Sequence, residues 1–238
     1  MRTLALVKHY RFADLTDACL WSISASAIPL ETTVRVIDST PDADYRFPGV
    51  DVVKSDNAIG LIESFNQWID GFHDLYVCLN NDVVVHPRWL VGLQEAFTGQ
   101  VGIAAPLYDQ PGGAWLELIP PYPPDTPERA AWLDAHLRPH VTSVVPHVDN
   151  CAWAFTQALV DRIGLPDGSF GGAGWGANLD YCYRARQAGF TVVVAHGAFV
   201  SHRHRGTYGK LDPDYVANAE RQRDEALRRK YGDLSVVW

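Results

Sequence analysis

The chain has 238 residues, 47% of them hydrophobic, enough to bury one large α/β core or at most two small ones. Its net charge of -8 argues against a broad nucleic-acid-binding surface, which needs an excess of basic side chains to displace counterions from phosphates. The 4 cysteines lie far apart without C-x-x-C spacing, so we predict buried free thiols rather than a zinc site or a disulfide framework.

The first segment, MRTLALVKHYRF, contains an apolar run of only a few residues. Such a run predicts a first β-strand rather than a signal peptide or a membrane anchor. No other window approaches the length of a membrane span. We therefore expect no transmembrane segment and a cytoplasmic location, with peripheral association with a membrane left open by the composition.

The first half of the chain shows elements in the order β-α-β-β-α-β, with polar residues following each strand. The predicted elements are a strand at Leu4–Val7, a helix at Asp14–Ser26, strands at Thr33–Ile37 and Val50–Lys54, a helix at Leu61–Gly71 and the strand LYVCLNND. The last strand is almost wholly apolar, as expected in the middle of a parallel sheet that is covered on both faces. This order predicts an open α/β sheet that binds ligands at the carboxyl ends of its strands.

The second half is less regular. The stretch from Tyr108 to Val148 is rich in proline and tryptophan, which predicts a surface excursion over the ligand-binding edge. Regular structure returns with CAWAFTQALVDRIG, a helix at Leu179–Ala188 and the strand TVVVAHGAFV. The segment Asp214–Tyr231 has the pattern of a charged amphipathic helix.

The tripeptide Asn80-Asn81-Asp82 ends the most apolar strand. A carboxylate at the end of a central parallel strand is well placed to bind a hard divalent cation, which can bridge to a diphosphate through oxygen ligands. A turn that merely ends the strand has an equal claim on spacing alone. The surrounding sequence must therefore decide between the two.

That surrounding sequence resembles family-2 glycosyltransferases of the GT-A fold. LYVCLNNDVVVHPRWL is similar to their metal-binding segment, and VRVIDST to the strand whose final acid contacts the nucleobase or ribose. KSDNAIGLIESFNQWI resembles the segment that follows that strand. The block from DNCAWAFTQ to SHRHRGT has the family's glycine-rich turn, acidic helix start and late histidine. Each motif alone is weak, but they occur in the right order along most of the chain.

The resemblance implies a GT-A-type, Rossmann-like fold, with a mixed, mostly parallel sheet flanked by helices, in one domain over residues 1–238. Residues 1–105 would form the half that binds nucleotide sugar and metal, 106–212 the acceptor-side half with a lid loop, and 213–238 a C-terminal helix. The implied activity is transfer of a hexosyl or other glycosyl group from a nucleoside-diphosphate sugar. Mn²⁺ or Mg²⁺ is the implied cofactor, and the acceptor is an unidentified glycan, protein or other hydroxyl-bearing molecule.

Carried over residue by residue, the resemblance implies that Asp82 and His202 bind the metal and that Asp38 holds the base or ribose. Asn80 stands where many relatives have a first acid, so it accepts hydrogen bonds but brings no charge to the metal. A solvated histidine at the end of a strand is the alternative for His202. The other side chains expected around the nucleotide sugar are Asp56, Asn57, Asn81, Trp175, Arg203, Arg205 and Lys210.

Arg203, Arg205 and Lys210 lie with two glycines in HRHRGTYGK. We expect this segment to form a lid that neutralises charge on the diphosphate, with a solvated charged turn as the alternative. Trp175 has two interpretations as well, because its ring can stack on a sugar or simply fill the edge of the sheet.

The chain departs from the family pattern at the position of the catalytic base. Inverting relatives usually have Gly-Glu-Asp at the start of this helix, whereas this chain has GANLD at 176–180. Asn178 occupies the position of the base, and an amide cannot accept a proton. Three accounts remain: Asp180 acts as the base, another acid such as Asp149 does so, or the enzyme retains configuration and needs none. WGANLDYC and SHRHR also resemble the polypeptide N-acetylgalactosaminyltransferases, which retain configuration.

The sequence leaves two other functions open. A catalytically degenerate protein that binds a sugar nucleotide is suggested by Asn80, Ala177 and Asn178, which replace acids of the family pattern. A nucleotidyltransferase would share the first half of the fold. It is disfavoured because MRTLALVKHYRF lacks a glycine-rich phosphate loop after the first strand.

Overall fold

The computed structural model describes residues 1–41, 44–55, 60–109, 117–124, 126–170, 174–203 and 214–237. Within these ranges the strands are β1 (Thr3–His9), β2 (Thr32–Asp38), β3 (Asp51–Lys54), β4 (Leu75–Asn80), β5 (Val83–Val85), β6 (Val101–Tyr108), β7 (Thr142–Val144), β8 (Ala152–Thr156) and β9 (Thr191–His202). The α-helices are α1 (Ala13–Ser24), α2 (Leu61–Asn66), α3 (Trp89–Gln94), α4 (Pro127–His136), α5 (Gln157–Ile163), α6 (Ala177–Gln187) and α7 (Tyr215–Tyr231). Short 3₁₀ helices lie at Gly168–Phe170 and Leu234–Val236.

All the strands form one sheet in the order β3-β2-β1-β4-β8-β6-β9-β5, with β7 also paired to β9. Strands β3, β2, β1 and β4 are parallel, as the first half of the sequence predicts. β8 runs antiparallel to both β4 and β6, while β6 and β9 are parallel. The predicted mixed α/β sheet flanked by helices is confirmed. Its parallel character is concentrated in the first half, because β8 enters between β4 and β6 in the opposite direction.

The centre of the core is formed by β1 and β4. Every residue of β1 is buried, and so are the first five residues of β4. Helix α1 covers one face of this region through Cys19, Leu20 and Ile23. Burial on both faces explains why these two strands read as continuous apolar runs rather than as alternating ones.

One border of the sheet, which we call the carboxyl edge, collects the ends of β1, β2, β3, β4, β6 and β9 and the starts of β5 and β8. His9 is in register with Asp38, and Asn80 with Lys8. Since β8 runs opposite to β4, its first residues reach the end of β4, where the backbone N–H of Asn80 donates to the carbonyl of Cys151 (2.8 Å). The carboxyl edge therefore collects polar side chains from both halves of the chain.

In its described residues, the predicted surface excursion contains helix α4 and strand β7. Helix α4 begins after Thr126, whose hydroxyl accepts the N–H of Arg129 (3.3 Å), and β7 adds to the sheet by pairing with β9. All four cysteines are buried and free, as predicted. None of the helices in the described ranges is long and apolar enough to cross a membrane.

Candidate functional site

Asp82 and His202 meet at the carboxyl edge. The pairing of Val83 with His202 brings the residue before β5 beside the last residue of β9. Oδ1 of Asp82 lies 3.3 Å from Nε2 of His202, and the two side chains are only 8% and 11% exposed. Burial alone would lower the pKa of His202, but the neighbouring Cys151 sulfur and the Asp82 carboxylate raise it. The imidazole is therefore protonated while it pairs with Asp82. If a binding cation displaced that proton, His202 would offer a nitrogen ligand beside the Asp82 oxygen, a combination that suits Mn²⁺.

The part of the chain that the structure describes contains no group of three or more His, Cys, Asp or Glu side chains able to hold a metal ion. Asp82 and His202 therefore offer two protein ligands. A cation held there would need further oxygen ligands from outside the described side chains, as is common where substrate phosphates and water take part in binding the metal. The side chains present fit a cation held jointly with a diphosphate, and do not fit a closed structural metal site.

The two asparagines before Asp82 differ in surroundings. Asn81 is buried, and its Nδ2 donates to the hydroxyl of Thr16 on α1 (3.2 Å). Asn80 is partly exposed at the end of β4. The placement of Asn81 supports a role in fixing the strand end against α1, whereas the amide of Asn80 lies at the surface of the carboxyl edge.

Asp38 is fully buried at the end of β2. Its carboxylate accepts the backbone N–H groups of Thr40 (2.8 Å) and Tyr45 (3.0 Å) and pairs with Nζ of Lys54 (2.9 Å). Burial would raise the pKa of Asp38, but the hydrogen bonds from Tyr45, Lys54 and Thr40 outweigh it, and the pKa is lowered. Asp38 is therefore a fixed negative charge that orders the chain following β2.

A cavity of about 440 Å³ opens beside Asp38. Its lining is half apolar or aromatic and half charged: Tyr45, Phe47, Val50 and Val52, with Asp38, Asp44, Arg46 and Lys54. The Tyr45 ring stacks on the imidazole of His9, with centroids 4.1 Å apart and planes 25° from parallel. Such a mixed lining offers an aromatic ring against which a planar base can pack and charged groups for its polar atoms.

Asp180 lies in the first turn of α6 and is fully buried. One carboxylate oxygen accepts the hydroxyl of Tyr231 (2.5 Å) and pairs with Nζ of Lys230 (2.6 Å). The other pairs with Nε of Arg184 (2.9 Å). With both oxygens held inside the protein, this geometry argues against the predicted role as a base and favours the alternative of a structural acid, here one that fixes α7 to α6.

Asn178 and Trp175, at the start of α6, contact the segments around them. Nδ2 of Asn178 donates to the carbonyl of Val148 (2.6 Å). Trp175 packs edge-on against Tyr215, with centroids 6.2 Å apart, and is half-buried. Gly176, which lies between Trp175 and Asn178 in the sequence, has φ +94°, a conformation that residues with a side chain rarely adopt. Part of the Trp175 surface therefore stays accessible, while Asn178 is engaged with the backbone.

Asp149 lies just before β8 at the carboxyl edge. Its Oδ1 accepts the backbone N–H of Cys151 (2.8 Å), and the side chain is partly exposed. The next residue, Asn150, donates to the carbonyl of Gly174 in the glycine-rich turn (3.2 Å). Asp149 therefore stands between the end of β4, which bonds to Cys151, and the turn that carries Trp175.

Arg203 is exposed, and its backbone N–H donates to the carbonyl of Asp82 (2.8 Å). It thus begins the predicted lid right beside the Asp82–His202 pair. Asp56, Asn57, Arg205 and Lys210 lie outside the described residues.

No protein-family model and no curated protein matches this chain. Similar solved structures exist. One is GalNAc-T7 with UDP, GalNAc and Mn²⁺, at 15% identity and a TM-score of 0.64, covering 85% of this chain and 44% of that one. Another is the mannosyltransferase PcManGT from Pyrobaculum calidifontis in complex with GDP-Man and Mn²⁺, at 15% identity and a TM-score of 0.63, covering 95% of this chain and 64% of that one. Both are GT-A glycosyltransferases.

The chain has the GT-A fold. It spans 44% and 64% of the two glycosyltransferases it resembles, so each of those chains carries substantial sequence outside the shared fold. At 15% identity the likeness establishes the fold of the chain and leaves its activity to be proposed from its own residues.

Several residues at the carboxyl edge of this GT-A fold were not anticipated from the sequence. His9 stacks on Tyr45, and Asp109 accepts the backbone N–H of His202 (3.2 Å) while pairing with the buried Arg129. His9 could have been predicted at this edge, because it is a polar residue at the end of an apolar strand. No comparable signal existed for Arg129, which reaches Asp109 only because α4 folds back over β9.

Proposed function

We propose that this chain transfers a glycosyl group from a nucleoside-diphosphate sugar to a hydroxyl-bearing acceptor, with Mn²⁺ or Mg²⁺ as cofactor. The observation that carries this proposal is the Asp82–His202 pair, 3.3 Å apart, at the same sheet edge as the cavity beside Asp38. The structures of GalNAc-T7 with UDP and Mn²⁺ and of PcManGT with GDP-Man and Mn²⁺ support this combination of ligands.

In the proposed complex the base and ribose occupy the cavity beside Asp38, and the diphosphate extends across the ends of β1 and β4 towards Asp82 and His202. This direction follows from the sheet order, in which β1 and β4 separate β2 from the later strands. The side chains proposed to contact the nucleotide sugar, besides Asp38, are Asp56, Asn57, Asn80, Trp175, Arg203, Arg205 and Lys210. Asn81, also expected there from the sequence, is buried against Thr16 and would instead support the end of β4 from inside.

The proposed reaction is a nucleophilic displacement at the anomeric carbon. The bond from that carbon to the phosphate oxygen breaks, the nucleoside diphosphate leaves with the electron pair, and the acceptor oxygen forms the new bond. The bound cation would supply charge stabilisation to the leaving diphosphate. Asp82 and His202 would hold and orient that end of the donor, and the basic segment that starts at Arg203 would add positive charge beside it.

We propose that Asp149 is the general base, which accepts the proton of the acceptor hydroxyl. One of its oxygens is fixed by the N–H of Cys151, and the side chain is partly exposed at the edge where the donor would lie. Asp180, by contrast, has no exposed surface and is bound to three side chains. A general base must come within hydrogen-bond reach of the proton it removes, which favours Asp149.

A thermal-shift comparison tests the metal and donor assignment. UDP or GDP at about one hundred times its Kd, with Mn²⁺, should stabilise the wild type by about 2.7 kcal/mol, or about 5 to 10 °C in Tm. Asp82→Asn is expected to lose the Mn²⁺-dependent part of this shift, because an amide brings no charge to the cation. Asp74→Asn, at the opposite edge of the sheet, is the control and should behave as the wild type. A full metal-dependent shift in Asp82→Asn would remove Asp82 from the site.

A catalytically degenerate sugar-nucleotide-binding protein is the alternative. It would show the same metal-dependent shift, because binding does not require a base. Release of nucleoside diphosphate from the donor separates the two functions.

A further inference from the structure

Lys8 is a buried cation at the carboxyl edge. It is the second-last residue of β1, and 7% of its surface is exposed. Its ammonium donates to the hydroxyl of Ser64 on α2 (2.5 Å) and to the hydroxyl of Ser39, which follows β2. Over the described residues this ammonium forms no ion pair with a carboxylate. Among the described residues the ammonium therefore contacts two serine hydroxyls and no carboxylate.

This arrangement is unfavourable for a protein without a ligand. An ammonium has three N–H donors, and the two serine hydroxyls occupy two of them. Burial lowers the pKa of Lys8 to about 8, although the more distant charge of Asp38 acts to raise it. The group remains largely protonated at pH 7, and a buried charge is normally retained only where an opposite charge completes its surroundings.

The position of Lys8 indicates which opposite charge that is. In register, Lys8 stands opposite Ile37 of β2 and Asn80 of β4. It thus lies between the cavity beside Asp38 and the Asp82–His202 pair beyond β4. A nucleoside diphosphate that reaches from that cavity to that pair must pass the end of β1, with its anionic phosphates over this strand.

We propose that Lys8 is a phosphate-binding residue, whose ammonium pairs with a diphosphate oxygen of the donor while Ser39 and Ser64 hold it in place. The inference rests on the proposed function, since both use the same site. It adds a cation on the protein side of the diphosphate. The competing structural role is a simple link between β1 and α2 through Ser64.

Isothermal titration with five probes tests this role: UDP, GDP, uridine, guanosine and inorganic pyrophosphate. Lys8→Met keeps the aliphatic stem and removes the charge. We expect its affinity for pyrophosphate and for the nucleoside diphosphate that the wild type binds to fall about 10- to 100-fold, as for loss of a hydrogen bond to a charged group. Affinity for the nucleosides should not change. Arg2→Gln removes one positive charge at the exposed, opposite end of β1 and should leave every affinity unchanged.

The outcomes separate the alternatives. An equal loss for nucleosides and diphosphates would overturn phosphate binding in favour of a contact to the base, and unchanged affinities with a lowered Tm would leave only the structural link. If Lys8→Met does not fold, the diphosphate affinity of Ser64→Ala tests the proposal instead. This substitution leaves the charge but removes one partner, and diphosphate affinity is expected to fall about 2- to 10-fold. An unchanged value in Ser64→Ala would also overturn the proposal.

Failure of the proposed function gives a different result. If the wild type binds pyrophosphate through Lys8 but neither UDP nor GDP, the phosphate site stands and the nucleotide-sugar proposal falls. If the wild type binds none of the five probes, both are overturned.

Discussion

Asp180→Asn is expected to lower the free energy of unfolding by about 3 kcal/mol, while the affinity for nucleotide and metal stays at the wild-type value. The carboxylate has no exposed surface and faces two cations, Arg184 and Lys230, together with the hydroxyl of Tyr231. Removal of one partner from a buried ion pair typically costs 3–5 kcal/mol. The lower end applies because Arg184 and Lys230 are 23% and 34% exposed, so that water screens them in part.

Thermal unfolding measures this effect. For a chain of this size, about 3 kcal/mol corresponds to a fall of about 6 to 12 °C in Tm. Asp167→Asn is the matched control: its carboxylate also pairs with Lys230 (2.7 Å) but is 30% exposed, so we expect a loss of less than about 1 kcal/mol. An unchanged Tm in Asp180→Asn, together with lost donor turnover, would contradict the structural role and restore Asp180 as the base.

Asp149→Asn is expected to lower turnover of the donor by about 10²- to 10⁴-fold, the range that general-base catalysis contributes. The substitution should preserve the fold, because the amide oxygen of Asn can still accept the N–H of Cys151. Affinity for the donor should also be preserved, since the proposed base acts on the acceptor hydroxyl or, in hydrolysis, on water. The expected change is thus confined to kcat.

Nucleoside diphosphate release under saturating donor and Mn²⁺ measures this change. Asp134→Asn, which alters an exposed acid of α4, is the control and should turn over as the wild type does. Normal turnover in Asp149→Asn would reject the base assignment. If the product then keeps the anomeric configuration of the donor, the third account from the sequence, a retaining enzyme without this base, takes its place.

The parallel half of the fold could be predicted because its signals are local. Continuous apolar runs marked β1 and β4, and polar residues after the strands located Asp38 and Asp82 at one edge. The three-residue strands β5 and β7 gave no such signal, since they exist only through pairing with the long β9. The direction of β8 could not be predicted either, because a short apolar run has the same pattern in a parallel and in an antiparallel strand.

The candidate site was only partly predictable for the same reason. Asp180 reads as an acid at a helix start, and its true environment depends on Lys230 and Tyr231, fifty residues further along the chain. Lys8 reads as a strand-end lysine, and its burial depends on two serines from other elements. The family resemblance indicated Asp82 and His202 as the proposed metal pair, whereas charge environments set by long-range packing could not be predicted from the sequence.

The proposed function is tested most directly by donor turnover in the wild type. UDP- and GDP-sugars are incubated with the protein and Mn²⁺, and the released nucleoside diphosphate is followed by phosphorus NMR. We expect release from at least one donor in the presence of Mn²⁺, its loss on chelation of the metal, and its loss in Asp82→Asn. Binding of a donor without any release, at every metal and donor tested, would contradict catalysis and identify a protein that only binds the sugar nucleotide.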